Sequence, residues 1–164
     1  MRRLRTSSLN QGELLYVCNY TIIPHMNESY ELCYCQAARR SARFLSRLYD
    51  RHLLPAGINI QQLSILSAIK HNPGILIVDL AERMVMERTT LLRALKPLQK
   101  LGLVGSNPSG TGRSLALTVS RLGQKKVAEA HPLWVEAQRE FEALFGADKA
   151  STLRKGMRQA SALA

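Results

Sequence analysis

The stretch "ERTTLLRALKPLQKLGLV", residues 87–104, joins an apolar stripe to a cluster of Arg and Thr side chains. Its leucines recur with the period of an α-helix and are predicted to anchor one helix face to the protein body: Leu91, Leu92, Leu95 and Leu98. The remaining positions are available to a partner, and they are Arg88, Thr89, Thr90, Arg93 and Lys96. Gly102 predicts a left-handed helix end, after which Leu103 and Val104 begin a strand.

The preceding segment, "ILIVDLAERMVM", is predicted to form a short helix that starts near Val78. A short helix followed by a helix with Arg and Thr at its start is typical of a helix-turn-helix, whose second helix enters the DNA major groove. An Arg there can donate two hydrogen bonds to a guanine, and a Thr can contact a phosphate or a thymine methyl group. An ordinary surface helix with a solvated basic face fits this segment alone equally well.

Two β-compatible runs follow the helix, at residues 103–104 and 115–119, and they flank a loop rich in Gly, Ser, Pro and Asn. This pattern predicts a hairpin. Its tip carries Arg113, with Ser114 beside it, and both are predicted to contact DNA as part of the wing of a winged helix. An Arg at such a tip can enter the minor groove, where a narrow A·T-rich groove concentrates negative potential.

The rest of the chain is predicted to be helical. The predicted helices cover residues 29–54, a segment around "QQLSILSAIK", a long segment that starts at Ser120 as N-cap and is interrupted or bent near Pro132, and residues 148–162. The fold class is therefore mainly α with a small β-hairpin. Residues 1–28 are interpreted as an N-terminal extension, either disordered or a wrongly assigned start with Met26 as the true initiator.

Charge and composition favour a soluble DNA-binding protein. The formal net charge is +11, which suggests a polyanion as partner, either nucleic acid or an anionic membrane surface; the alternative is that the charge serves solubility alone. Three cysteines are too few, and odd in number, for a secreted disulfide scaffold. No apolar run approaches the roughly 20 residues that span a membrane, and no signal peptide is visible. We therefore expect a cytoplasmic protein without a membrane partner.

Several segments together resemble the MarR family of bacterial transcription regulators. They are "CQAARRSARFLSRLYDRHLLPAGI" (35–58), "QQLSILSAI" (61–69), "DLAERMVMERTTLLRALKPLQKLGLV" (79–104) and "AHPLW" (130–134). The resemblance implies a winged-helix homodimer on a pseudo-palindromic operator in double-stranded DNA. It implies a helical dimerisation region at residues 29–57 and 120–164 and a winged helix-turn-helix at residues 58–119. It also implies that a small-molecule effector or an oxidant changes DNA affinity.

Three positions depart from the pattern that the resemblance implies. The wing has Thr111 where the family often has an acidic residue that orients the wing Arg. The expected cap of the short helix is Val78 instead of Ser or Thr, and the turn has Val85 where a Gly is frequent. The turn must therefore be made in another way.

Cys33 and Cys35 are candidates for redox sensing, because a helix start favours the thiolate and some MarR-like proteins sense oxidants through a cysteine near this helix. The alternative is that one of them is a small core residue. A disulfide between them would break the helix, since residues two apart point to different sides. The histidines show no ligand spacing, so no metal or other cofactor is expected.

We therefore predict a sequence-specific, homodimeric repressor that is released from DNA by a small molecule or an oxidant. No phosphate loop, paired carboxylates or activated nucleophile indicates an enzyme. One alternative is a winged-helix protein-interaction module that does not bind DNA. A second is a thiol-dependent enzyme that uses Cys33 or Cys35, although no base is placed near them by the sequence.

Overall fold

The computed structural model describes residues 32–108 and 115–162. Their helices are α1 (Tyr34–Leu53), α2 (Ile60–His71), α3 (Ile77–Arg83), α4 (Arg88–Lys100), α5 (Arg121–Phe145) and α6 (Ala147–Ser161). Their strands are β1 (Ile75–Leu76), β2 (Val104–Pro108) and β3 (Leu115–Val119), and a short 3₁₀ turn (Leu54–Ala56) follows α1. The predicted fold class, mainly α with a small hairpin, is confirmed.

The chain divides into two units, with the boundary after Arg39. Of the first unit the structure describes residues 32–39, which lead into and begin α1. The helix was expected from residue 29, and that predicted start lies outside the described residues. The second unit begins at Arg40 and contains the other elements.

A capping box fixes the start of α2. The side chain of Asn59 accepts a hydrogen bond from the Gln62 amide at 2.8 Å, and the Gln62 side chain accepts one from the Asn59 amide at 3.0 Å. This reciprocal pair satisfies two amides that a helix start leaves without partners. Asp50 of α1 accepts a further bond from the Ile60 amide at 2.7 Å, so the end of α1 is joined to the start of α2.

The sheet has three antiparallel strands in the order β1-β3-β2. The hairpin of β2 and β3 was predicted, but β1 was not, since residues 75–76 were only grouped with the segment of the short helix, ahead of its predicted start near Val78. They pair with β3 in the register Ile75 to Leu117. The Gly74 amide also donates to the Leu117 carbonyl at 2.9 Å, so tertiary pairing decides the conformation of this short apolar run.

One apolar core joins the end of α1, the four helices α2 to α5, and the sheet. Its buried members are Leu53, Ala56, Ile58, Leu63, Ile65, Leu66, Ile69, Leu80, Ala81, Leu91, Leu95, Leu98, Leu103, Val104, Leu117, Val127 and Ala130. Almost all are aliphatic, as expected for a chain with few aromatic residues. Burial of this apolar surface holds the helix-turn-helix and the sheet together.

The start of α5 is packed on Gly102 and Leu103, which lie between α4 and β2. Ser120 is the N-cap as predicted, because its Oγ accepts from the Gly123 amide at 3.0 Å, and the same hydroxyl donates to the Gly102 carbonyl at 2.6 Å. A Cβ at Gly123 would lie 2.2 Å from the Leu103 carbonyl oxygen. Of the two alternatives near Pro132, an interruption does not occur, since α5 runs unbroken from Arg121 to Phe145; a bend stays a prediction.

Gly123→Ala is expected to lower the free energy of unfolding by about 1–3 kcal/mol, because backbone atoms of Leu103 must move to admit the methyl group. Gly156→Ala is the matched control, since nothing lies within 4 Å of a Cβ at that helical position. The control should gain roughly 0.5–1 kcal/mol from helix propensity. Urea unfolding measures both, and equal effects of the two substitutions would contradict the close approach.

Candidate nucleic-acid interface

The helices α3 and α4 form a helix-turn-helix whose turn is closed by backbone hydrogen bonds. At the end of α3, the Met86 amide donates to the Ala81 carbonyl and the Val85 amide donates to the Glu82 carbonyl, both at 2.9 Å. This pair of bonds is the Schellman motif, which ends a helix with one residue in the left-handed conformation. The turn therefore keeps the usual helix ending even though it lacks a glycine.

Val85 occupies the left-handed position of this turn, with φ at +50°. A β-branched residue is strained there, because its Cβ approaches the neighbouring carbonyl. The end of α4 shows the same motif with its usual residue: Gly102, at φ +67°, donates to the Gln99 carbonyl, and Leu103 donates to the Leu98 carbonyl. The predicted left-handed Gly102 is confirmed, and Val85 is its strained counterpart.

One face of α4 is fixed to the core, but by three leucines instead of the four expected. Leu91, Leu95 and Leu98 are at most 1% exposed, whereas Leu92 is 36% exposed. The expectation that Leu92 anchors the helix is therefore wrong. With about 100° between successive residues, Leu92 lies on the flank of the buried stripe, between Arg88 and Lys96.

The candidate DNA-contacting residues of α4 are all exposed: Arg88, Thr89, Thr90, Arg93 and Lys96. The helix contains no acidic residue between Arg88 and Lys100. None of the ion pairs between described residues involves a side chain of α4. The exposed face of α4 thus presents cations that the described part of the protein does not neutralise.

The starts of α3 and α4 lack side-chain caps. The N-cap of α3 is Leu76, not the expected Val78, and the N-cap of α4 is Glu87; neither side chain makes a capping hydrogen bond. Val78 is instead 48% exposed in the first turn of α3. Neither Leu76 nor Val78 carries a hydroxyl, so these two side chains offer no hydrogen bond to a phosphate.

The wing is built on the β2–β3 ladder, which pairs Val104 with Val119 and ends with Pro108 opposite Leu115. The structure describes the two strands up to residue 108 and from residue 115 onward. Arg113 and Ser114, the predicted wing contacts, and Thr111 lie outside the described residues. Their contribution to an interface stays a prediction.

Cys33 directly precedes α1 and Cys35 lies in its first turn; both are free and exposed. The alternative that one of them is a core residue does not hold. Among the described residues, no group of His, Cys, Asp and Glu could hold a metal ion. No helix among them combines the length and the apolar character that a membrane crossing requires.

A polar contact that sequence reasoning missed joins α1 to α5. Glu140 binds the Arg51 guanidinium and lies 2.6 Å from Nε2 of His52. The hydrogen bonds from His52 and then Arg51 lower the pKa of Glu140. Nearly 90 residues separate the partners along the chain, so helical spacing gives no signal for the pair.

A cavity of about 610 Å³ lies between α1, α5 and α6. Its wall is mostly apolar and includes Leu45, Trp134 and Phe141. The Tyr49 hydroxyl donates to the Gln138 side chain at 2.5 Å inside it, and burial raises the pKa of Tyr49. The cavity can therefore accept an apolar molecule with a few polar groups.

This helix-turn-helix with a hairpin wing defines a winged-helix protein. The sequence profile of the MarR family matches residues 56–113. The crystal structure of the M. tuberculosis transcriptional regulator MosR in complex with DNA is 31% identical, with a TM-score of 0.72, over 80% of this chain and 95% of MosR. The chain belongs to the MarR family of transcriptional regulators.

More distant structures share the fold. The transcriptional repressor CouR, bound to a 23-mer DNA duplex, is 22% identical with a TM-score of 0.74 over 84% of this chain and 97% of its own. A cysteine-to-serine mutant of E. coli MarR complexed with operator DNA is 22% identical with a TM-score of 0.73, over 82% and 96% of the two chains. No curated protein matches the sequence significantly.

Val85→Gly is expected to raise the free energy of unfolding by about 0.5–1 kcal/mol, since relief of left-handed strain outweighs the added freedom of the unfolded chain. The reverse change at the equivalent position, Gly102→Val, should lower it by about 1–2 kcal/mol. Urea unfolding of both variants measures the difference. A destabilised Val85→Gly protein would contradict the strain at this turn.

Proposed function

We propose that the protein is a homodimeric, sequence-specific DNA-binding repressor that a small molecule or an oxidant releases from its operator. The observation that carries the proposal is the exposed face of α4, which bears unneutralised cations on a helix fixed to the core by its opposite face. A polyanion with a groove wide enough for one helix fits this face, and the DNA major groove is such a site.

The exposed side chains of α4 differ in the DNA groups that they can contact. Arg88 and Arg93 can read guanine edges, Thr89 and Thr90 can contact phosphate or a thymine, and Lys96 supplies a phosphate contact. In the wing, Arg113 would enter the minor groove and Ser114 would contact the backbone of the DNA. Phosphate contacts supply most of the affinity, and the base contacts supply the choice of sequence.

Exposed apolar side chains on the terminal helices support a homodimer. They are Phe44 of α1, Leu144 and Phe145 of α5, and Met157 of α6. Large apolar side chains that are exposed on the helices outside the helix-turn-helix suit burial against a second copy. Residues 29–57 and 120–164 would then form the dimerisation region, and residues 58–119 the DNA-binding lobe of each protomer.

Binding should be tested on a duplex selected from a randomised library, by fluorescence anisotropy at several salt concentrations. We expect a steep fall of affinity with salt, because phosphate contacts release counterions. Arg93→Ala should cost about 1–3 kcal/mol on the selected duplex and relax the preference at one base pair in each half-site. Arg113→Ala should weaken binding to selected and random duplexes alike.

Lys155→Ala is the matched control, since it removes a positive charge from an exposed position on α6 and should leave both affinities nearly unchanged. Equal losses on selected and random DNA for the two arginine variants would refute the division of roles. A monomer in analytical ultracentrifugation would contradict the proposed assembly.

The alternative is a winged-helix interaction module that does not bind DNA. Its support is the start of α3, where neither the N-cap Leu76 nor Val78 carries a hydroxyl that could hold a phosphate. Absence of salt-dependent binding to any duplex would favour this alternative over the repressor.

Oxidant release would act through Cys33 and Cys35, whose exposure makes both thiols accessible to peroxide. Peroxide should weaken DNA binding by the wild-type protein and leave the Cys33→Ser, Cys35→Ser double variant unaffected, with reversal by a thiol reductant. Thiol titration before and after peroxide gives the number of groups that react. Unchanged binding after complete oxidation would leave the cavity between α1, α5 and α6 as the site of regulation.

A further inference from the structure

Leu92 is the one leucine between Arg88 and Lys100 that the core does not bury. It is 36% exposed, while its three neighbours Leu91, Leu95 and Leu98 are fully buried. A single exposed leucine on a protein surface is ordinary. Leu92, however, lies on α4, the helix that presents the unneutralised cations, and this position makes it a candidate for contact with DNA.

Leu92 lies one helical turn after Arg88 and one turn before Lys96. Residues four apart on a helix are neighbours, with about 5–6 Å between their Cβ atoms. The exposed part of Leu92 is thus bordered by a cation on either side along the helix. It is also the fifth residue of α4, so it belongs to the half of the helix whose side chains reach base edges in a helix-turn-helix.

The chemistry of the major groove offers one partner for such a side chain. Thymine is the base that presents a methyl group in the major groove, at C5; cytosine carries only a hydrogen at that position, and the edges of guanine and adenine present the hydrogen-bonding groups N7 with O6 or N6. A leucine side chain neither donates nor accepts hydrogen bonds, so it gains nothing from the polar edges. Contact with a methyl group, however, removes apolar surface of both groups from water.

We propose that Leu92 is a specificity-determining residue that reads a thymine C5-methyl group in each half of the operator. The inference rests on the proposed function and deepens it, because it adds an apolar contact to the polar readout by Arg88 and Arg93. The alternative is that Leu92 packs against the protein's own core when DNA is bound and does not contact the DNA.

The test replaces thymines one at a time by deoxyuridine, which removes only the C5-methyl group, in the duplex selected by the wild-type protein. Wild-type protein should lose about fourfold in affinity at one thymine of each half-site, the effect of one methyl group leaving an apolar contact. Leu92→Ala should bind the thymine duplex several-fold more weakly. Replacement of that thymine by deoxyuridine should not lower the affinity of Leu92→Ala any further.

Two variants control for structure. Leu92→Met keeps an apolar side chain of similar volume and should retain sensitivity to the methyl group. Leu101→Ala removes a leucine that is 54% exposed, about 13.5 Å further along the helix axis, and should respond to deoxyuridine like the wild type. Circular dichroism and thermal unfolding confirm that Leu92→Ala is folded.

The outcomes separate the two proposals. The inference is overturned, and the proposed function stands, if wild-type protein binds the selected duplex but loses no more affinity than Leu92→Ala at any deoxyuridine position. If the wild-type protein binds no duplex even at low salt, the proposed function fails and the inference fails with it. Loss of methyl sensitivity in Leu92→Ala, with sensitivity kept in Leu92→Met, supports the inference.

Discussion

The burial of Leu91, Leu95 and Leu98 in the core is the constraint on which the arrangement of this molecule depends. These three side chains fix the rotation of α4 about its own axis, and that rotation decides which residues face outward. A different rotation would place Arg93 against the core, where an unpaired charge is costly. Apolar packing on one side of the helix thus determines the electrostatics of the other side.

Much of this arrangement could be predicted from the sequence, because it follows from local patterns. The period of the leucines predicted α4, Gly102 predicted its left-handed end, and Ser120 was correctly identified as the cap of α5. Leu92 was misassigned because an apolar residue on the flank of a stripe matches the helical period almost as well as one at its centre. Its exposure depends on how neighbouring elements cover that flank.

Other features depend on partners distant in the chain, and no local pattern reveals them. The strand β1 exists because Ile75 meets Leu117 across the sheet. The contact of Glu140 with His52, and the hydrogen bond from Tyr49 to Gln138, join helices that lie far apart in sequence. The valine at position 85 was visible in the sequence as a departure. Only the structure shows that it occupies the left-handed position of a complete Schellman motif.

The joint between α4 and α5 has a mechanical consequence. The Ser120 hydroxyl binds the Gly102 carbonyl, the Ser120 amide donates to the Leu103 carbonyl at 3.0 Å, and Gly123 leaves no gap between the long helix and that carbonyl. These contacts leave little room for relative motion between the start of α5 and residues 102–103. A tilt of α5 would therefore also displace the backbone of Gly102 and Leu103, which connects α4 to β2.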